Sequence, residues 1–182
     1  MVEQRRAVFL DRDGVINEAR VSQGKPLPPR DVTEVRLVSG AAGALSQLKQ
    51  RGFLLIVVTN QPDVRRGTTS SEVVEDIHKF LASQLPIDDF LTCYHDDQDC
   101  CVCRKPRPGL LRQAAERHGI ELTKSFLIGD RWRDIDAGAA AGCTTVLIDY
   151  KYEEQPPKNP PHAVVSSLPE AVRWILNCDR GE

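Results

Sequence analysis

Ala7-Val8-Phe9-Leu10-Asp11-Arg12-Asp13-Gly14-Val15 sets four apolar residues directly before two carboxylates and a glycine. A short unbroken apolar run is how a parallel strand covered on both faces reads. Asp11 and Asp13 lie two apart in an extended chain, so they point the same way. Open parallel α/β sheets place ligands at the carboxyl ends of their strands, where these residues would stand. Two adjacent carboxylates repel, and call for a cation, a shared proton or a basic partner. Gly14 lets the chain turn sharply after them. A solvated acidic turn capping a helix would explain the stretch if it stood alone.

The rest of the chain repeats the strand signal. Phe53–Val58, Phe90–Tyr94, Ser125–Ile128 and Thr144–Ile148 read as further strands. Between them, apolar residues recur at helical spacing over Gly40–Gln50, Ser70–Leu85, Pro108–Gly119 and Asp134–Ala141, with a last helix from Pro169. Alternation of strands and helices predicts a three-layer α/β fold, a parallel sheet with helices on both faces. The two proline-rich stretches, Gln23–Arg30 and Glu153–Pro161, read as surface loops, too short to be an inserted cap. The expectation is one domain spanning residues 1–182, with a fairly open site.

Composition narrows the function classes. The chain of 182 residues carries 24 Lys+Arg against 26 Asp+Glu, so it lacks the basic balance of a protein that binds nucleic acid through phosphate charge. No apolar run approaches a membrane span, and Asp11 interrupts any secretory apolar region, so the expected location is cytoplasmic. A monomer with no nucleic-acid or membrane partner is the expectation.

Three further polar clusters follow strands or their loops: Thr59-Asn60-Gln61, Lys105 in Cys103-Arg104-Lys105-Pro106, and Gly129-Asp130 through Asp134. Together with Asp11 and Asp13 they would gather acidic residues and a lysine at one sheet edge, a site for a divalent cation and a phosphate. In order and placement these motifs resemble those of the haloacid-dehalogenase-like (HAD) phosphatases, over roughly residues 7–150. The resemblance implies Asp11 as nucleophile forming an aspartyl-phosphate, and Asp13 as general acid and then base. It implies Mg²⁺ held by Asp11, the Asp13 carbonyl and Asp130, a hard-oxygen set suited to that ion. Thr59 and Lys105 would hold phosphoryl oxygens, while Asp134 would orient Lys105 or metal-bound water, or cap the following helix.

Six cysteines remain, four of them, Cys93, Cys100, Cys101 and Cys103, in one short window with His95. Clustered Cys and His in a chain without an export signal suggest a structural, tetrahedral zinc. Spacing alone does not choose between Cys100 and Cys101. The zinc-containing subgroup of the HAD phosphatases, which acts on heptose bisphosphate or histidinol phosphate, is similar here: its second Cys pair ends directly before Arg-Lys-Pro. That resemblance selects Cys93, His95, Cys101 and Cys103. It also implies removal of the 7-phosphate of D-glycero-D-manno-heptose 1,7-bisphosphate, with histidinol phosphate as rival substrate. Asn60, Gln61, Arg104 and Arg131 are the expected substrate contacts, with Arg65-Arg66 a weaker candidate pair.

Readings of another class are a phospho-accepting receiver or a zinc-stabilised binding module. A receiver carries its phosphorylated Asp after a middle strand of the sequence, where this chain has Thr59.

Overall fold

The computed structural model describes residues 5–22 and 25–180. Among the described residues, eight strands and five α-helices follow in chain order: β1 (Ala7–Leu10), β2 (Arg20–Ser22), β3 (Lys25–Leu27), α1 (Ala41–Gln50), β4 (Leu54–Asn60), α2 (Ser71–Gln84), β5 (Asp89–Cys93), α3 (Gly109–His118), β6 (Phe126–Gly129), α4 (Trp132–Ala141), β7 (Thr144–Ile148), β8 (Ala163–Val165) and α5 (Leu168–Cys178). Six strands form one sheet in the order β5-β4-β1-β6-β7-β8, and every pairing in it is parallel.

The apolar strand runs serve two cores at once. Val8, Leu10, Leu55, Val57, Ile128 and Val146 face α1, α2 and α5, where Leu45, Leu48, Ile77, Leu81, Val172 and Ile175 meet them. Their neighbours Ala7, Phe9, Leu54, Ile56, Val58 and Leu127 face α3 and α4, against Leu110, Leu111, Ala114 and Ala137. Alternation of period two therefore persists, but both of its phases are apolar because both faces are covered.

β1, first in the chain, lies inside the sheet between β4 and β6. From β1 the chain moves through β4 to β5 on one side, then crosses to β6 and β7 on the other. The direction reverses beside β1, which opens the crevice at the carboxyl edge that such sheets use for ligands.

Several boundaries differ from the sequence expectation. β4 continues through Thr59 and Asn60, so these residues are part of the strand rather than just past it. α4 begins at Trp132, which makes Asp134 a residue of its first turn and not its cap. Part of the Gln23–Arg30 stretch, read as a loop, is strand β3, paired antiparallel with β2; Gln23 and Gly24 lie outside the described residues. The edge strand β8 was not expected, since three residues after a proline-rich loop give no usable period. Among the described residues no helix is long and apolar enough to cross a membrane.

Candidate active site and metal centre

The site starts where β1 ends. The Asp11 N–H donates to the Ile128 carbonyl of β6 at 3.0 Å, and the chain then folds into a tight turn closed by Gly14 N–H on Asn17 O at 2.7 Å. Gly14 has φ +87°, and a Cβ there would fall 2.0 Å from Asp130 Oδ2. Glycine is thus required twice, for its left-handed backbone and for the close approach of Asp130.

Lys105 supplies the charge at the centre. Its ammonium is 3.0 Å from Asp11 Oδ1 and 2.6 Å from Asp134 Oδ1, and donates to Val58 O at 2.8 Å. All three donors are used, which offsets the cost of holding this almost fully buried charge out of water. Burial favours the neutral amine, but Asp11 and Asp134 outweigh it and hold Lys105 protonated. Asn60 clamps the lysine's main chain, accepting from Lys105 N at 3.1 Å and donating to Lys105 O at 3.0 Å. Asp134 Oδ2 also accepts from Arg131 N at 3.1 Å, which ties the start of α4 to the same lysine.

The carboxylates differ sharply in their partners. Asp13 Oδ1 accepts from Arg12 Nε at 3.1 Å and Asn17 Nδ2 at 3.0 Å, while Oδ2 accepts from Arg12 Nη2 at 3.0 Å and Gln61 Nε2 at 2.9 Å. Burial raises its pKa, but the Arg12 guanidinium and these hydrogen bonds win and lower it below the ordinary value. Asp11 is pushed up to about 6 by burial and by Asp134, against the opposing pull of Lys105. Asp130 is raised well above the ordinary carboxylate value by burial and by the charges of Asp11 and Asp134. Both Asp130 oxygens are buried without a hydrogen-bond partner. One ligand oxygen from each of Asp11, Asp130 and Asp134 lies within 4.8 Å of the others. An unpartnered buried carboxylate beside two more is costly unless a cation sits among them, so the donor set fits a hard divalent ion.

A cleft of about 160 Å³ opens over this cluster, lined by Asp11, Asp13, Thr59, Lys105 and Asp134 together with Asn60, Gln61, Arg66, Arg131, Arg133 and Pro26–Pro28. Thr59, buried at the end of β4, accepts from Gln61 Nε2 at 2.9 Å. Of the expected substrate contacts, Asn60, Gln61 and Arg131 line the cleft and Arg104 does not. Arg104 Nε donates to Asp97 Oδ1 at 2.8 Å and Nη1 to His95 O at 3.2 Å, so it braces the cysteine loop. Arg65 likewise pairs with Asp99 at 3.2 Å and stays outside, whereas Arg66 lines the cleft and pairs with Asp96 at 2.7 Å. Arg133, which the sequence reading missed, lines the cleft too; it pairs with Asp97 at 3.0 Å and stacks on Trp132. Arg131 is paired with Glu154.

The second cluster lies at the end of β5. Cys93 Sγ is 3.6 Å from His95 Nδ1, 3.7 Å from Cys101 Sγ and 3.1 Å from Cys103 Sγ. Cys103 Sγ lies 3.3 Å from His95 Nδ1 and 3.4 Å from Cys101 Sγ. A tetrahedral zinc with bonds of about 2.3 Å sets its sulfur ligands roughly 3.8 Å apart, close to this spacing. Cys100 is exposed and outside the group, turned away by a left-handed backbone of φ +48°. Burial pushes the Cys93 thiol above its ordinary range, so a thiolate there needs a cation. The loop is tied to the core at Gly109, whose missing Cβ leaves room for Val102 O; a Cβ would come within 2.2 Å of it.

Arg12 is a second residue whose place the sequence did not reveal. It is 1% exposed, its Nη1 lies 3.3 Å from His78 Nε2, and His78 stacks on Phe90 with ring centroids 4.6 Å apart. Burial and the adjacent guanidinium lower the His78 pKa to about 4. A basic residue between two acidic ones reads as solvated, and only the packing of α2 over β5 shows otherwise.

Comparison with known proteins gives concordant matches. Residues 102–171 match the family described as HAD-hydrolase-like. A D-glycero-beta-D-manno-heptose-1,7-bisphosphate 7-phosphatase of Helicobacter pylori strain J99 is 33% identical, over 96% of this chain and 99% of the relative. The protein of that name from Pseudomonas aeruginosa is 34% identical, over 79% of this chain and 81% of its own length. The crystal structure of D,D-heptose 1,7-bisphosphate phosphatase from B. bronchiseptica, complexed with magnesium and phosphate, superposes with a TM-score of 0.79 at 28% identity, covering 94% of this chain and 98% of that one.

Proposed function

The chain belongs to the heptose-bisphosphate 7-phosphatase family of HAD-like hydrolases, and we propose that it removes the 7-phosphate of D-glycero-D-manno-heptose 1,7-bisphosphate through an aspartyl-phosphate on Asp11. It is a phosphomonoester hydrolase. The observation that carries the mechanism is Asp130, whose two buried oxygens have no partner while one ligand oxygen lies within 4.8 Å of Asp11.

Asp11, the backbone carbonyl of Asp13 and Asp130 would hold Mg²⁺. Bound there, the ion offsets carboxylate charge and the charge of the transferring phosphoryl group. Asp11 is fixed for attack, because its Oδ1 accepts from Arg12 N at 2.8 Å and lies against Lys105. Asp13 is a carboxylate before substrate binds and takes up the proton of the entering phosphate monoanion; as the bond from Asp11 to phosphorus forms and the bond to the sugar oxygen breaks, Asp13 passes that proton to the leaving oxygen. Water then attacks phosphorus, passing a proton to Asp13 and releasing phosphate and free Asp11. Thr59 and Lys105 hold the phosphoryl oxygens through a hydroxyl and a fixed positive charge.

Zinc bound by Cys93, His95, Cys101 and Cys103 would supply structure rather than chemistry. It would fix a loop with little core of its own, two residues before Lys105. Arg131, Arg133 and Arg66 line the cleft and would bind the remainder of a phosphorylated sugar. Asn60 and Gln61 act on the substrate indirectly, through Lys105 and Asp13.

The test is a panel of heptose 1,7-bisphosphate, other sugar phosphates and histidinol phosphate, assayed with and without Mg²⁺. The expected result is Mg²⁺-dependent release of one phosphate per molecule, with the highest kcat/KM on the heptose bisphosphate. Preference for histidinol phosphate would move the chain to its rival substrate, and turnover independent of Mg²⁺ would overturn the metal assignment.

A further inference from the structure

We propose that His78 is a positioning residue for proton transfer at Asp13, acting through the buried guanidinium of Arg12. The proposal rests on the reading of Asp13 as acid and base given above.

Three side chains form a line from α2 to the cleft. Arg12 grips Asp13 side-on, Nε to Oδ1 at 3.1 Å and Nη2 to Oδ2 at 3.0 Å. That grip leaves Nη1 pointing the other way, 3.3 Å from His78 Nε2. A guanidinium has donors only, so His78 Nε2 must be the acceptor, and the ring carries its proton on Nδ1. The ring itself cannot turn freely: it lies on Phe90 with an interplanar angle of 19°, and α2 anchors it between the buried Ile77 and Leu81.

The geometry gives this contact a purpose beyond packing. A guanidinium is a rigid planar fork, so any rotation of it moves both points that hold the Asp13 carboxylate. Asn17 and Gln61 each bind one Asp13 oxygen and cannot fix the plane alone. The contact at Nη1 supplies the third point. Core packing asks only for a flat apolar ring at position 78; the nitrogen is needed for Arg12. Without it, Nη1 would be a buried donor with no partner and would turn to find one, carrying Asp13 with it.

The experiment uses the whole Mg²⁺-loaded protein and two substrates, heptose 1,7-bisphosphate and p-nitrophenyl phosphate. kcat/KM reports the steps through phosphoryl transfer to Asp11. An alkoxide leaving group needs a proton in that step and a nitrophenolate does not, so misplacing the acid slows only the sugar substrate. H78F keeps the ring stack and removes the acceptor; H78Q returns an oxygen that can accept from Arg12. H78F should lower kcat/KM on the sugar bisphosphate about tenfold, the size of one hydrogen bond, with a much smaller loss on the aryl ester. H78Q should recover most of that loss.

Equal losses on both substrates in folded H78F, no loss at all, or a selective loss that Gln does not recover would each overturn the proposal. Should H78F fail to fold, H78N, too short to reach the guanidinium, is read by the same criteria. D13N serves as the reference: it should show the same substrate selectivity at roughly 10²–10⁴-fold. If D13N affects both substrates alike, the role given to Asp13 is wrong; if D13N is selective and His78 variants are not, only the present proposal fails.

Discussion

The carboxylate cluster and the cysteine cluster both gather ligand atoms within 4.8 Å, but they are held in opposite ways. Asp11, Asp130 and Asp134 stand at the ends of buried strands or in the first turn of a helix packed on the sheet, and all three are buried or nearly so. Cys101 and Cys103 stand in a loop whose neighbour Val102 is 77% exposed, with Cys93 on β5 as the one fully buried ligand. The first cluster is placed by the core whether or not an ion is present, and its cost is charge repulsion. The second stands mostly in a loop, where Cys101 and Cys103 pack only partly against the core, and a bound ion would add to that hold. Lys105 joins them, two residues beyond Cys103 yet hydrogen-bonded to Asp134.

That contrast predicts unequal responses. D11N should lower turnover by at least about 10³-fold while the far- and near-UV circular dichroism remain those of the wild type, because the sheet does not need the charge. Full turnover in folded D11N would break the assignment. The next effect sits behind the carboxylate cluster. An unfolded chain takes up a proton at His78 near its ordinary value of 6.5, whereas the folded protein resists until about 4. The stabilisation from keeping this ring neutral is therefore complete above 6.5 and is lost as pH falls toward 4. It is worth on the order of 3 kcal/mol in denaturant titrations across that window. H78F should remove this share of the acid slope, zinc-loaded or not; an unchanged slope would count against the buried neutral ring.

Zinc removal should act on the loop and spare the sheet. C103S, or the wild-type protein stripped by a chelator, should lose about 10–100-fold in kcat/KM and become open to proteolysis between residues 95 and 104. A protein with no zinc by elemental analysis and full activity would contradict the second half of the contrast. The smallest effect is on the metal-free protein: D130N should raise its Tm at pH 8 by a few degrees, the size of roughly 1 kcal/mol, while abolishing the response to Mg²⁺. A lower Tm would mean that Asp130 is not repelled by its neighbours.

How much of this was legible in the sequence follows from the same contrast. Asp11, Asp13, Thr59 and Asp130 follow apolar runs that can only be buried strands, so the sheet edge was readable from local pattern. The Cys/His cluster was readable from residue types and spacing, but the choice of Cys101 over Cys100 came only from the family resemblance. Residues that act by long-range pairing were not. Arg104 stands beside Lys105 in the chain but turns to Asp97, while Arg133 reaches the cleft from α4. Arg12 and His78 are 66 positions apart and meet only because α2 crosses the sheet beside β5. The β2–β3 ribbon was hidden because its strands are three residues long and one contains a proline. The cleft arginines share a pattern that no local rule gives: each is matched by a carboxylate from another element, Asp96, Asp97 or Glu154.

The central claim is that Asp11 becomes phosphorylated during turnover. Rapid acid quench of the Mg²⁺-loaded protein turning over heptose 1,7-bisphosphate, followed by reduction of the acyl-phosphate with tritiated borohydride and peptide mapping, reads it directly. The account predicts tritium at position 11, present only with substrate and Mg²⁺ and absent in D11N. Tritium at another carboxylate, or none at any time point while phosphate is being released, would contradict it.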